Sequence, residues 1–262
     1  IKLPTTTPWP LPLLLCVLIV KPPLALASTL RGTSVTSMSR ENWVGLESNP
    51  EVLTQYAVKL GVHADWAFSD VIGLDEDALK MVPKPCVGCI FLYPFSQVEA
   101  RKRSLGSSRG VNVPQVWFMK QQVGNACGAV ALMHTVMNNL KRISSSKGFL
   151  EGFQSDTAGA SAHERAKLFA PAVRDLHSGL ASQGQTAAPA ATADLDFHFV
   201  SYVSVGGRLY ELDGNNDGPL DCGAADANDF LPAVVDHVKR VYITPFPDSH
   251  FVMMTLGPKP PE

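Results

Sequence analysis

The chain has 262 residues, 45% of them hydrophobic and 18% charged. That is enough apolar mass for one large domain or two small ones, and it excludes a disordered or collagen-like chain. Five cysteines are too few for a disulfide-stapled miniature fold, and a net charge of −2 argues against a nucleic-acid partner, which needs surplus Lys and Arg for phosphate. The charge is unevenly spread. Residues 1–37 carry Lys2, Lys21 and Arg31 with no acid, so the other 19 cations and 24 acids leave −5 on residues 38–262.

Residues 1–37 also hold Pro4, Pro8, Pro10, Pro12, Pro22 and Pro23 around the apolar run Leu11–Val20. Ten residues cannot span a bilayer, which takes about 20, but they suit the core of a signal peptide ahead of Ala25-Leu26-Ala27. The preferred reading is an unfolded N-terminal extension, with the working domain at 38–262 and no membrane association.

In the body, Asn49 can cap a helix with Pro50 at its first position. Leu53, Tyr56, Ala57 and Leu60 repeat at helical spacing until Gly61 stops it. A short helix follows over 75–82, then a buried strand from Cys86 to Tyr93. Residues 99–110 are expected to form a solvated loop, and 116–120 a strand leading into a helix from about Asn125 to Leu140. The Ser/Gly/Ala-rich stretch 141–162 reads as a mobile loop. Helix is expected again from His163 to Leu180, interrupted at Pro171. Runs 196–205 and 208–213, joined by Gly206-Gly207, predict a hairpin. A helix over 229–240 and a strand over 251–256 complete an α+β chain with a central antiparallel sheet flanked by helices.

The chemistry concentrates in Gln121-Gln-Val-Gly-Asn-Ala-Cys127-Gly128, which places a cysteine in the first turn of a helix. There the helix dipole and unbonded N–H groups favour a thiolate. A two-residue turn at Gly206-Gly207 sets Val205 against Arg208, so Asp213 falls opposite Val200 and diagonal to His198. Diagonal neighbours are within reach of a His–Asp hydrogen bond, giving a general base with a carboxylate behind it. Gln121, at the corner before the helix, can donate to an oxyanion beside the Cys127 N–H. Nucleophile, base, orienter and donor together specify acyl transfer through a thioester.

Phe118-Met-Lys-Gln-Gln-Val-Gly-Asn-Ala-Cys-Gly128, Phe197-His-Phe199 and Leu209-Tyr-Glu-Leu-Asp-Gly214 closely resemble the ubiquitin carboxy-terminal hydrolases, in their short single-domain form. Asn49-Pro-Glu-Val52, Met81-Val-Pro83, Glu164-Arg-Ala166 and Gly184-Gln-Thr186 fit the same pattern. The resemblance implies Cys127 as nucleophile, His198 as base and acid, Asp213 as orienter and Gln121 in the oxyanion hole. It also implies a papain-like fold with a knotted chain path, and a crossover segment at about 152–165 that restricts leaving groups to small adducts on the C-terminal glycine of ubiquitin. The implied partner is ubiquitin, with a ubiquitin-like modifier as a second candidate; the implied state is a monomer in the cytoplasm, and the nucleus is a second location. Two departures stand out. Relatives usually continue Asp-Gly with Arg, and carry a His-Gly pair later, where this chain has Asn215 and Cys222-Gly223.

No cofactor or metal is expected. Cys86-x-x-Cys89 lacks a second ligand pair and sits in an apolar run, so it reads as core. His134, two turns after Cys127, reads as packed or behind the site. Trp43 and Val44 either touch ubiquitin or pack on the domain, while Asp75, Glu76, Asp77, Asp194, Asp196 and Asp217 read as a solvated acidic surface. Two rival functions remain: a papain-like protease routed to a secretory compartment by residues 1–27, and a ubiquitin-binding protein without turnover.

Overall fold

A computed structural model describes residues 41–104, 110–145, 148–184, 189–193, 195–226 and 230–260. The N-terminal extension, Asp194 and part of Gly184-Gln-Thr186 lie outside the described residues.

The first helix, α1 (Pro50–Leu60), is built from local signals. Asn49 Oδ1 accepts the backbone N–H groups of Glu51 at 2.8 Å and Val52 at 3.3 Å, and Gly61 closes the far end at φ 119°. Both ends follow from preferences a sequence displays openly. Because Asn49 is itself buried, Asn49→Ala will cost about 1 kcal/mol, and at most about 2. The urea midpoint checks this, and an unchanged midpoint contradicts it.

After α1 come β1 (Trp66–Asp70), α2 (Glu76–Lys80), β2 (Gly88–Pro94) and α3 (Phe95–Ser104). Then follow α4 (Cys127–Ile143), α5 (Phe149–Asp156), α6 (Ala162–Ala181), β3 (Phe197–Val205), β4 (Arg208–Leu212), β5 (Leu220–Ala224), α7 (Phe230–Val238) and β6 (Val252–Pro258). A π-helical turn, Lys239–Ile243, extends α7. The strands form one six-stranded sheet in the order β1-β6-β2-β3-β4-β5, with every neighbouring pair antiparallel. Alternation along the central strands sorts side chains onto two cores. Ile90, Leu92, Phe199, Met254 and Leu256 pack with α1, α4 and α6. Phe91, Tyr93, Val200, Tyr202 and Met253 pack with α7 and Tyr242. No helix among the described residues is long and apolar enough to cross a membrane.

Several expectations need correction. Residues 116–120 are not a strand. Their backbone is held by side chains and helix ends: Trp117 N–H donates to Asn138 Oδ1 at 2.8 Å, Lys120 N–H donates to Ala162 O, and the Phe118 carbonyl accepts from Arg165. Residues 95–104 are helical rather than loop, because Asp196 caps them from far along the chain. Its carbonyl accepts from Phe95 N–H at 2.7 Å and its carboxylate accepts from the backbone and hydroxyl of Ser96. The expected loop at 141–162 contains the end of α4 and all of α5, whose Leu150 and Phe153 are buried. Pro171 does not interrupt α6: it lies on the exposed face, as does Lys167, whose carbonyl loses its helical donor to the proline. The edge strands β1 and β5 went unread.

Candidate active site

The hairpin β3–β4 has the register that a two-residue turn dictates. Val205 pairs with Arg208 and Ser201 with Leu212, across Gly206 and Gly207 at φ 60° and 76°. Both turn residues need positive φ, which glycine adopts without a steric penalty. Extending this ladder one step brings Asp213 beside His198, and His198 Nε2 lies 2.7 Å from Asp213 Oδ1. Both side chains are buried. Asp213 Oδ1 also accepts the backbone N–H of Asn215 at 2.9 Å, so the first departure from the family pattern supports the carboxylate through its main chain.

Cys127 opens α4, preceded by Ala126, which makes no side-chain cap, and followed by a first turn without an acid. The helix start therefore presents unscreened N–H groups to whatever anion forms there. Gly128 lets this start press close to its neighbours: a Cβ there would lie 3.1 Å from Leu46 and 3.3 Å from Phe199. Asn125, at φ 57°, turns the chain into the helix and donates from Nδ2 to the carbonyls of Ala191 and Ala193. This is a left-handed position that asparagine tolerates better than most residues.

The half-buried Cys127 thiol and the His198 ring are hydrogen-bond partners. With Nε2 engaged by Asp213, the ring nitrogen that serves Cys127 is Nδ1. Burial alone would disfavour charge on either group. For His198 the charge and hydrogen bond of Asp213, joined by those of Cys127, outweigh burial and raise the pKa to about 10. For Cys127 the His198 contact, with backbone hydrogen bonds from Phe199 and Gly128, outweighs burial and holds the thiol below its ordinary value. Both shifts run in the direction that favours the thiolate–imidazolium pair.

A pH profile follows from these signs. Alkylation of Cys127 by iodoacetamide, read on its own peptide by mass spectrometry, will reach half its plateau below the ordinary thiol pKa. In His198→Ala burial is opposed only by the backbone hydrogen bonds from Phe199 and Gly128, so the midpoint will move upward; superimposable profiles contradict the pairing. Cys86, pushed up to about 12 by burial, and the fully buried Cys89, also pushed up, will stay unreactive near neutrality.

Gln121 is tied to the same corner. Its backbone N–H donates to Gly214 O at 2.9 Å, directly after Asp213, and its Nε2 donates to Val123 O at 3.1 Å. Lys120 and Gln122 on either side bond the start of α6, through Ala162 O and His163 O. Cys127, His198 and Asp213 thus form a hydrogen-bonded chain, with Gln121 fastened beside it through Gly214. The arrangement can attack a carbonyl, donate a proton to a leaving group and activate water in turn.

Some residues at the site were not legible beforehand. Tyr93 stands edge-on to His198 with ring centroids 5.7 Å apart, and Phe95 lies tilted at 5.0 Å, so two aromatic rings flank the imidazole. Only the β2–β3 register, Tyr93 opposite His198, could have revealed this, and no short turn fixes that pairing. His134 is buried against Phe118, its Nε2 on the Met119 backbone, and takes no part in the chain of bonds. Trp43 is also buried, packing on His177 at 4.4 Å. Asp75 caps α2, and Asp217 lies 3.7 Å from Lys120.

Comparison with known proteins gives a consistent set of matches. The family described as ubiquitin carboxyl-terminal hydrolase, family 1 matches residues 43–243. A probable ubiquitin carboxyl-terminal hydrolase of Dictyostelium discoideum is 37% identical over 232 residues, covering 86% of this chain and 91% of that protein. Ubiquitin carboxyl-terminal hydrolase 3 of Arabidopsis thaliana is 39% identical over 216 residues, covering 80% and 91%. The crystal structure of the Trichinella spiralis UCH37 catalytic domain bound to ubiquitin vinyl methyl ester superposes with a TM-score of 0.68 at 25% identity, covering 86% of this chain and all of that one.

Proposed function

The chain belongs to ubiquitin carboxyl-terminal hydrolase family 1, and from that membership we propose that Cys127, His198, Asp213 and Gln121 are its catalytic machinery. The protein is a cysteine-type hydrolase, a deubiquitinase acting on the C terminus of ubiquitin. The observation that carries the residue assignment is the 2.7 Å bond from His198 to Asp213, with the same imidazole bonded to the thiol at the start of α4.

The Cys127 thiolate attacks the carbonyl carbon of ubiquitin's terminal glycine, and the oxygen takes up the negative charge. The Cys127 N–H and the Gln121 side-chain amide donate to that oxyanion. Oriented donors of this kind are worth about 3–4 kcal/mol each. As the tetrahedral centre collapses, His198 Nδ1 gives its proton to the departing amine and a thioester remains. Neutral His198 then takes a proton from water, hydroxide adds to the thioester, and Cys127 leaves as thiolate. Asp213 holds the ring orientation throughout and stabilises the imidazolium.

The segment 152–165, which comprises the end of α5, residues 157–161 and the start of α6, is assigned to limiting the leaving group. Its attachment to Lys120 and Gln122 supports this, since it ends beside Gln121. Residues 38–262 are assigned to one catalytic domain and the extension to a separate segment. The cytoplasm is the favoured compartment because the chemistry needs a reduced thiol.

The test is hydrolysis of a fluorogenic amide at the C terminus of ubiquitin, run beside an unrelated peptide amide. Turnover confined to the ubiquitin substrate is expected. Equal turnover of both points to a general protease, and tight ubiquitin binding without turnover points to a binding protein.

A further inference from the structure

On the face of the sheet covered by α7, three side chains of different chemistry converge away from Cys127. Glu211 of β4, Cys222 of β5 and His237 of α7 place a carboxylate oxygen, a sulfur and a ring nitrogen all within 4.8 Å of one another. We propose that this cluster is a zinc site.

Two edges of the cluster have the lengths zinc needs, and the third lies within 4.8 Å. Tetrahedral zinc, with bonds of about 2.3 Å to sulfur and about 2.0–2.2 Å to nitrogen or oxygen, separates sulfur from nitrogen by ~3.6 Å and nitrogen from oxygen by ~3.3 Å. Cys222 Sγ lies 3.7 Å from His237 Nε2, and that nitrogen lies 3.3 Å from Glu211 Oε2. The three atoms come from three separate elements, as in a site assembled by folding. Charge favours the metal as well. Glu211 is fully buried, and a thiolate plus a carboxylate would neutralise a divalent cation there.

Outer support is already present. The hydroxyls of Tyr202 and Tyr242 each donate to Glu211 Oε2 at 2.8 Å, fixing the carboxylate. Tyr242 is the buried residue of the π-helical turn after α7, and such turns gather at functional positions. Outer-shell donors of this kind orient metal ligands. Without metal, the Cys222 thiol donates to Leu220 O at 3.4 Å, and the Nε2 proton of His237 occupies the space between the ligands. On binding, Cys222 releases its proton to solvent and the imidazole carries its proton on Nδ1. The exposed Arg240, 3.4 Å from Nδ1, gives up that long contact. Cys222 is only half buried, so it offers the entry route, and water fills the fourth position. The sequence concealed this set because its members are 11 and 15 residues apart on different elements, not in a repeated ligand pair. Cys222, noted earlier only as a departure from the family pattern, acquires a role.

The experiment titrates Co2+, then Zn2+, into the full chain carrying Cys127→Ala, which removes the other sulfur with a histidine and a carboxylate beside it. One cobalt per chain is expected, with thiolate-to-metal charge-transfer absorption and ligand-field bands of tetrahedral intensity, both lost on adding zinc. Adding Cys222→Ser will abolish the charge-transfer band, and adding His237→Gln instead will weaken binding at least tenfold. If Cys222→Ser disturbs folding by circular dichroism, alkylation of the Cys127→Ala chain decides: zinc must slow iodoacetamide modification of Cys222. Absence of the charge-transfer band, its persistence in folded Cys222→Ser protein, or unaltered alkylation of Cys222 overturns the site.

Discussion

Cys127→Ala will lower hydrolysis of a ubiquitin C-terminal amide by about 10⁶-fold while ubiquitin still binds. The magnitude follows from the non-additivity of catalytic groups: once the nucleophile is gone, the base and the oxyanion donors have no intermediate to act on. Binding survives because only a sulfur is removed, and the helix start, the hairpin and both cores stay in place. The variant will also lose one charge that stabilises the His198 imidazolium, leaving Asp213 as its remaining anionic partner. A titration of the His198 ring protons by NMR will therefore show a lower pKa than in the parent chain. Turnover within a hundredfold of the parent, measured at saturating substrate, contradicts the assignment of Cys127.

Glu211→Ala will be the most destabilising single change in the second core. The carboxylate receives the hydroxyls of Tyr202 and Tyr242 and faces His237 Nε2, all in a buried setting. Removing it takes away the acceptor these groups share, although the two tyrosine hydroxyls keep their bond to each other, and a buried donor left unsatisfied costs about 1–3 kcal/mol. A loss of about 3–5 kcal/mol is expected, comparable to breaking a buried pair. Glu211→Gln keeps one acceptor oxygen and will lose less. Denaturant unfolding of both variants checks the order; equal stability, or a loss below about 1 kcal/mol for alanine, contradicts this view of the cluster.

What the sequence displayed depended on where each element finds its partners. Helix α1 was legible to the residue because its cap, its apolar spacing and its glycine stop are all local. The β3–β4 hairpin was legible for the same reason: Gly206-Gly207 fixes the register, and the register places Asp213 beside His198. Helix α3 was hidden because its cap, Asp196, is a hundred residues away. Residues 116–120 have the composition of a strand, yet their backbone bonds go to Asn138, Ala162 and Arg165, which no pattern within the segment discloses. The edge strand β5, Leu-Asp-Cys-Gly-Ala, is poor in β-formers and is specified by pairing with β4. Of the proposed site, Cys127, His198, Asp213 and Gln121 were singled out by type and spacing, while the aromatic flank of Tyr93 and Phe95 needed the β2–β3 pairing to be seen.

The most direct measurement is reaction of the full chain with ubiquitin vinyl methyl ester, followed by peptide mass mapping. The predicted result is one covalent adduct per chain, on Cys127, formed more slowly in His198→Ala and absent in Cys127→Ala. A folded chain that forms no adduct, or one that carries it elsewhere when Cys127 is intact, would contradict the account.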